Sequence, residues 1–141
     1  GLGLEPAPGG AAGSGAEGGT LPPASGGGAG SAIIVDVTFA LNSSAILPGA
    51  ARALDLVAEV LTDPRRPAVR IGLDGHTDVT GPYEYNLRLS EARARSAAAY
   101  LVARGVPARR LVARGFGPSR LLPGLAPSDP RHRRVEIVNL G

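Results

Sequence analysis

Residues 69–105 read VRIGLDGHTDVTGPYEYNLRLSEARARSAAAYLVARG. Val69, Ile71 and Leu73 alternate onto one face, the pattern of a strand that runs to Gly75. Gly75-His76-Thr77-Asp78-Val79-Thr80-Gly81-Pro82 then breaks the periodicity with glycines, a proline and short polar side chains, which reads as a loop. From Asn86 to Arg104 the apolar positions Leu87, Ala94, Ala97, Ala98, Leu101 and Val102 return at helical spacing, and Gly105 stands where a helix needs a left-handed C′ residue. A strand that passes through a polar loop into a long helix predicts an α/β protein with chemistry at the strand end.

The flanking sequence completes that architecture. Upstream, Ile33, Val35, Val37 and Phe39 alternate with Asp36 and Thr38, a strand of period two. A polar loop at Asn42-Ser43-Ser44 precedes Pro48, near which a helix begins. That helix carries Leu54, Val57, Ala58 and Leu61, and Asp63-Pro64 stops it. Downstream, strands are predicted at Arg110–Phe116 and Arg133–Asn139. The order β-α-β-α-β-β is an α+β sandwich, with the helices packed on one face of a small mixed sheet.

Composition divides the 141 residues into two parts. Residues 1–30 hold 12 of the 21 Gly and 4 of the 13 Pro, with only Glu5 and Glu17 charged. Residues 1–32 therefore read as a flexible Gly/Ala/Pro/Ser linker, too poor in apolar side chains to offset the entropy of ordering. Residues 33–141 form the domain. The formal charge of +3 splits at the same boundary, −2 before residue 31 and +5 after it.

Absences narrow the chemistry. There is no Cys, so disulfides, thiolate metal sites and cysteine nucleophiles are excluded. All 15 positive side chains are Arg, which excludes a phosphate-loop, Schiff-base or general-base lysine. With two His, no multi-histidine metal site can assemble, and neither metal nor cofactor is expected. Gly115-Phe116-Gly117 lacks the strand–glycine–helix context of a phosphate cradle. Ser90 lacks the Gly-x-Ser-x-Gly turn of a hydrolase, so no catalytic residue is assigned. No apolar run reaches the length of a membrane span, and the start shows no signal peptide. The opening residue is Gly1 rather than Met, so an anchor or export signal is expected upstream.

Charge placement yields two candidate surfaces. Arg93 falls on the flank of the long helix aligned with Asn86 and Ala97, positioned to look back at the loop bearing Asp78. An internal Arg93–Asp78 ion pair and a binding site built on the two explain that spacing equally well. Arg109, Arg110, Arg114, Arg131, Arg133 and Arg134 make the C-terminal third basic, yet five aromatics offer few stacking platforms. A solvated basic surface is therefore expected there, with no nucleic-acid partner, and His132 beside it is expected at the surface.

Gly75-His76-Thr77-Asp78, Gly81, Tyr85-Asn86, Leu89-Ser90 and Arg93-Ala94 together resemble the signature of OmpA-like C-terminal domains, the family of the peptidoglycan-associated lipoprotein and MotB. Val37-x-Phe39, Asn42 and Ile46-Leu47-Pro48 are similar to its first strand and loop. Tyr100-Leu101, Gly105-Val106, Arg110-Leu111, Gly115-x-Gly117 and Arg133-Arg134-Val135-Glu136-Ile137 follow its order downstream, so the likeness spans residues 33–139. The resemblance implies non-covalent binding of peptidoglycan through the meso-diaminopimelate of its stem peptide. Asp78 would take the ligand's ammonium, Arg93 its carboxylate and Asn42 a neutral hydrogen bond, with Thr77 and backbone N–H groups of the 77–81 loop completing the pocket. His76, Asn86 and Arg133 are candidates for the rim. It also implies a domain of the periplasm or cell envelope, tethered through an upstream membrane-anchored module, with envelope proteins as further partners. A partner-binding domain of the same fold without peptidoglycan affinity is the alternative. Two departures stand out: His132 occupies a place where the family usually has Asn, and Pro118–Pro130 is proline-rich where many relatives carry a short helix.

Overall fold

A computed structural model describes residues 33–141, and the predicted linker at 1–32 lies outside the described residues. Four strands and two α-helices alternate as the periodicities require: β1 (Ile33–Thr38), α1 (Pro48–Leu61), β2 (Ile71–Gly75), α2 (Tyr83–Ala103), β3 (Leu111–Gly115) and β4 (Arg134–Asn139). One-turn 3₁₀ segments lie at Ala108–Arg110 and Pro130–His132. The sheet order is β1-β4-β2-β3. β4 runs antiparallel to both β1 and β2, and β3 is parallel to β2, so the sheet is mixed.

Strand register sorts the side chains into two layers. Val35, Ile137, Leu73 and Ala113 stand in one cross-strand row facing the helices. They join Leu54, Val57, Leu61, Ala94, Ala98 and Leu101 in the core. Asp36, Glu136, Asp74 and Arg114 form the next row, on the opposite face. Alternation thus places the helices on one face only.

Helix ends follow the sequence signals. Pro48 occupies the first turn of α1, where its missing N–H costs nothing. Gly105 takes φ 104° after α2. Its N–H donates to the Val102 carbonyl and that of Val106 to Leu101, the paired bonds of a Schellman stop. α2 starts three residues earlier than the periodicity indicates, at Tyr83, because Pro82 sets the entry. Asn86 lies inside the helix and turns its side chain back to the preceding loop.

At the loop end of the sheet, α2 approaches closer than side chains allow. Gly75 and Gly115 are register partners on β2 and β3. A Cβ on Gly75 would overlap the Ser90 carbonyl, and one on Gly115 would overlap Glu91. Ser90 uses the proximity: its hydroxyl donates to the Leu87 carbonyl and accepts the Gly117 N–H at 2.8 Å. Leu87, read as part of the core stripe, instead lies against Gly117. The glycine pair therefore sets the height of α2 over the strand ends, and with it the position of Arg93.

Candidate functional site

Beyond Gly75, β2 continues as a loop whose backbone is bonded on both sides. The His76 N–H donates to the Arg134 carbonyl and the Thr77 N–H to Gly117. His76, Thr77 and Asp78 are all buried. The Thr80 N–H donates to Asp78 Oδ1, closing a tight Asx turn. Asn86 donates to the Thr80 carbonyl at 2.9 Å and fastens the far side of the loop.

Arg93 is fully buried, and it joins this loop to the one after β1. Its Nε donates to the Ser43 carbonyl at 2.8 Å, Nη2 to Ala40 at 2.9 Å, and Nη1 to His76 at 3.1 Å. Ala40 and Ser43 close the turn whose tip carries Asn42, exposed and at φ 56°. One guanidinium thus holds Asn42's turn and the loop of Asp78 together. Burial pushes Arg93 down to about 10, and Arg133 pushes the same way, while Asp78 and then Tyr85 oppose them. It therefore stays cationic at neutral pH. Among the described residues no ion pair joins Arg93 to Asp78.

The carboxylate's ion partner is Arg133, whose Nη1 lies 3.2 Å from Asp78 Oδ2 and whose Nε donates to the Phe39 carbonyl. Of the three residues considered for the rim, Arg133 keeps partial exposure, whereas His76 and Asn86 are buried. Sequence order offers no signal for Arg133's contact with Asp78, since the two are 55 residues apart. Thr77 Oγ1 is buried with no hydrogen-bond partner among the described residues. The site thus holds one carboxylate, two guanidinium groups, an unpartnered hydroxyl and an exposed carboxamide. Such a set suits a zwitterionic ligand richer in negative than positive charge.

The expected solvated basic surface is corrected in part, since Arg109 and Arg131 are exposed but other arginines are not, and the expected surface position of His132 is corrected in full. Arg110 donates to the Leu61 and Val69 carbonyls, Arg114 pairs with Asp74, and Arg134 pairs with Glu136 at 2.7 Å while 1 % exposed. These guanidinium groups are internal braces, because each lies beside a carboxylate or carbonyl that needs a donor. His132 is likewise fully buried: its Nδ1 accepts the Leu122 N–H at 3.0 Å and its Nε2 lies 2.9 Å from the Ala126 carbonyl.

The outer sheet row has a consequence for stability. His76 stacks on Phe116, and its Nε2 sits 3.3 Å from Glu136, out of line for a hydrogen bond. Burial lowers the His76 pKa, with Glu136 acting against it. Burial would raise Glu136, but His76 and the well-aligned Arg134 fork hold it at about 2. Both groups stabilise the fold at neutral pH. His76's contribution is lost as pH falls below the ordinary imidazole range, and Glu136's as pH falls from the ordinary carboxylate range toward about 2. Asp36 has the opposite sign. Desolvation and Glu136 in register push it up to about 6, so its stabilisation exists at low pH and is lost as pH rises through about 6. Asp36→Asn should therefore stabilise the domain at pH 7.5, by under about 1 kcal/mol because the site is solvent-screened. Urea titration should find that gain gone at pH 4, and an equal gain at both pH values would refute the assignment.

Comparison with known proteins gives concordant results. The OmpA family model matches residues 38–133. The chain is 38% identical over 105 residues to the probable lipoprotein YiaD of Escherichia coli (strain K12), covering 73% of this chain and 47% of that protein. It is 38% identical over 104 residues to outer membrane protein A of Shimwellia blattae, covering 72% and 42%. The chain thus spans less than half the length of these curated relatives. Among solved structures it is similar to the peptidoglycan-associated lipoprotein of Burkholderia pseudomallei, with a TM-score of 0.62, 26% identity and coverage of 74% and 88%. These relatives are outer-membrane proteins and envelope lipoproteins. No helix of the described residues is long and apolar enough to cross a membrane.

Proposed function

The chain belongs to the OmpA family, and on that premise we propose that it binds peptidoglycan non-covalently through the meso-diaminopimelate of the stem peptide, without catalysis. The observation that supports this reading most directly is the charge balance at the loop end: Arg133 pairs with the Asp78 carboxylate, and Arg93, bonded to the His76 carbonyl of the same loop, adds a second positive charge within reach of its field. The side-chain end of diaminopimelate carries an ammonium and a carboxylate on one carbon. Asp78 receives the ammonium, and the excess positive charge receives the carboxylate. Thr77 supplies its unpartnered hydroxyl, and Asn42 reaches the ligand from the facing turn.

Because Arg93 already spends three donors on carbonyls, it acts chiefly as a buried field and as the pin of both loops. Arg133 is the guanidinium with access to water. Charge-assisted bonds contribute about 1.5–3 kcal/mol each, and after association costs a free muropeptide binds at roughly micromolar to millimolar affinity. That is adequate for a domain of the periplasm or envelope tethered through its upstream part, since tethering to a polymer raises the effective concentration.

The test is an NMR titration of the full chain with L-Ala-γ-D-Glu-meso-diaminopimelate, beside the same tripeptide ending in L-lysine. Shifts at Asn42, Thr77 and Asp78 are expected with the first ligand. The second should bind at least about tenfold more weakly, since lysine lacks the carboxylate at the side-chain end. Asp78→Asn should lose the response while remaining folded. Absence of shifts with the wild-type chain at millimolar ligand would reject peptidoglycan binding and leave a fold that serves a protein partner.

A further inference from the structure

His132 and the loop from Pro118 to Pro130 take no part in the site as described, yet their contacts lead to it. The loop contains no regular element before the 3₁₀ turn at Pro130–His132, so its shape depends on what fastens it. One fastener is the fully buried imidazole of His132. The Leu122 N–H donates to Nδ1, which places the ring proton on Nε2, and Nε2–H then donates to the Ala126 carbonyl. A single neutral ring thus holds two backbone points of the loop. The next carbonyl along, that of Pro127, accepts the Val79 N–H at 3.2 Å, and Val79 adjoins Asp78. At its other end, His132 is followed directly by Arg133, whose guanidinium reaches the Asp78 carboxylate.

We propose that His132 is a positioning residue for the ligand site: by clamping the loop at Leu122 and Ala126 it presents the Pro127 carbonyl to Val79 and fixes the Asp78 loop in its binding conformation before ligand arrives. The proposal rests on the peptidoglycan reading above. The physical argument is preorganisation. The Asp78 loop is fastened at Thr77 by Gly117 and at Thr80 by Asn86, and Pro127 supplies the hydrogen bond between them. Without it, the segment that carries the carboxylate is held only by the Asx turn to Thr80 and the ion pair to Arg133, so its backbone gains freedom and binding must then meet more of the cost of ordering it. Polar side chains can divide the two roles of the ring. Gln places its amide nitrogen near the position of Nε2 and retains the bond to Ala126. Asn places its carbonyl near Nδ1 and retains the bond to Leu122.

The experiment uses the full chain and the same diaminopimelate tripeptide, reading affinity by NMR titration and the exchange rate of the Val79 amide in the absence of ligand. His132→Ala is expected to bind about tenfold more weakly, with faster Val79 exchange and an unfolding transition that remains cooperative. His132→Gln is expected to restore both affinity and protection to within about twofold, since it keeps the bond next to Pro127. His132→Asn should behave like the alanine variant. If His132→Ala fails to fold, the Gln and Asn pair carries the test, because each variant keeps one of the two bonds. Wild-type affinity in both Ala and Asn variants would overturn the positioning role, as would weaker binding with Val79 protection unchanged. Binding that fails in the wild-type chain refutes the peptidoglycan reading and this role together, whereas binding that survives every His132 substitution refutes this role alone.

Discussion

Arg93→Leu is expected to lower the unfolding free energy by about 3 kcal/mol or more and to abolish muropeptide binding. The side chain is completely buried, and its three donors go to carbonyls of Ala40, Ser43 and His76. Leucine leaves the buried His76 carbonyl without its donor and takes a charged donor from each of the part-buried Ala40 and Ser43 carbonyls. It also removes the tie between Asn42's turn and the Asp78 loop, so the halves of the site lose their common anchor. Arg93→Lys should recover only part of the stability. An ammonium keeps the charge, but its three donors radiate from one nitrogen and cannot match carbonyls spaced around a planar fork. Urea unfolding followed by circular dichroism measures the cost. A leucine variant as stable as the wild type would show that the guanidinium is not the pin. The contrast with Asp78→Asn is informative, because that change leaves the carbonyl network intact and should remove binding with far less effect on folding.

Gly75→Ala is expected to be more damaging to the fold, costing about 4 kcal/mol or leaving no cooperative transition. The added methyl would meet the Ser90 carbonyl, which is backbone in the middle of α2 and has no rotamer to yield. Nor can the helix slide sideways, since Gly115 meets Glu91 and the Ser90 hydroxyl in the neighbouring strand. Relief requires lifting α2 from the sheet, which would open the core around Ala94, Ala97 and Ala98 and carry Arg93 away from its carbonyls. Thermal unfolding of Gly75→Ala and Gly115→Ala tests the pair. Stability near that of the wild type in either would mean that the approach of α2 is not limited by these two positions.

Element order and the one-sided packing of the helices were legible because each depends on information carried within a short window. A period of two places Val35 and Val37 on one face and Asp36 on the other whatever lies opposite. Gly105 ends α2 through its own backbone conformation and bonds to residues within the same turn. The loop motif from Gly75 to Asp78 was equally visible; charge and spacing marked Asp78 and Arg93 as candidates, and Asn42 was a candidate only through the family resemblance. The tertiary structure decided which group each charge meets. Arg93 is bonded to carbonyls, Asp78 is bonded to Arg133, and Arg110, Arg114 and Arg134 are spent on carbonyls and carboxylates of the fold while Arg109 and Arg131 stay exposed. It also buried His132, which an isolated reading of a charged stretch places at the surface. The physical reason is one of range. Helix and strand periodicity determines which side of an element avoids water. The partner of a long guanidinium or a buried imidazole depends on which distant segment the sheet order brings alongside, and β4 enters between β1 and β2 only when the whole chain has closed.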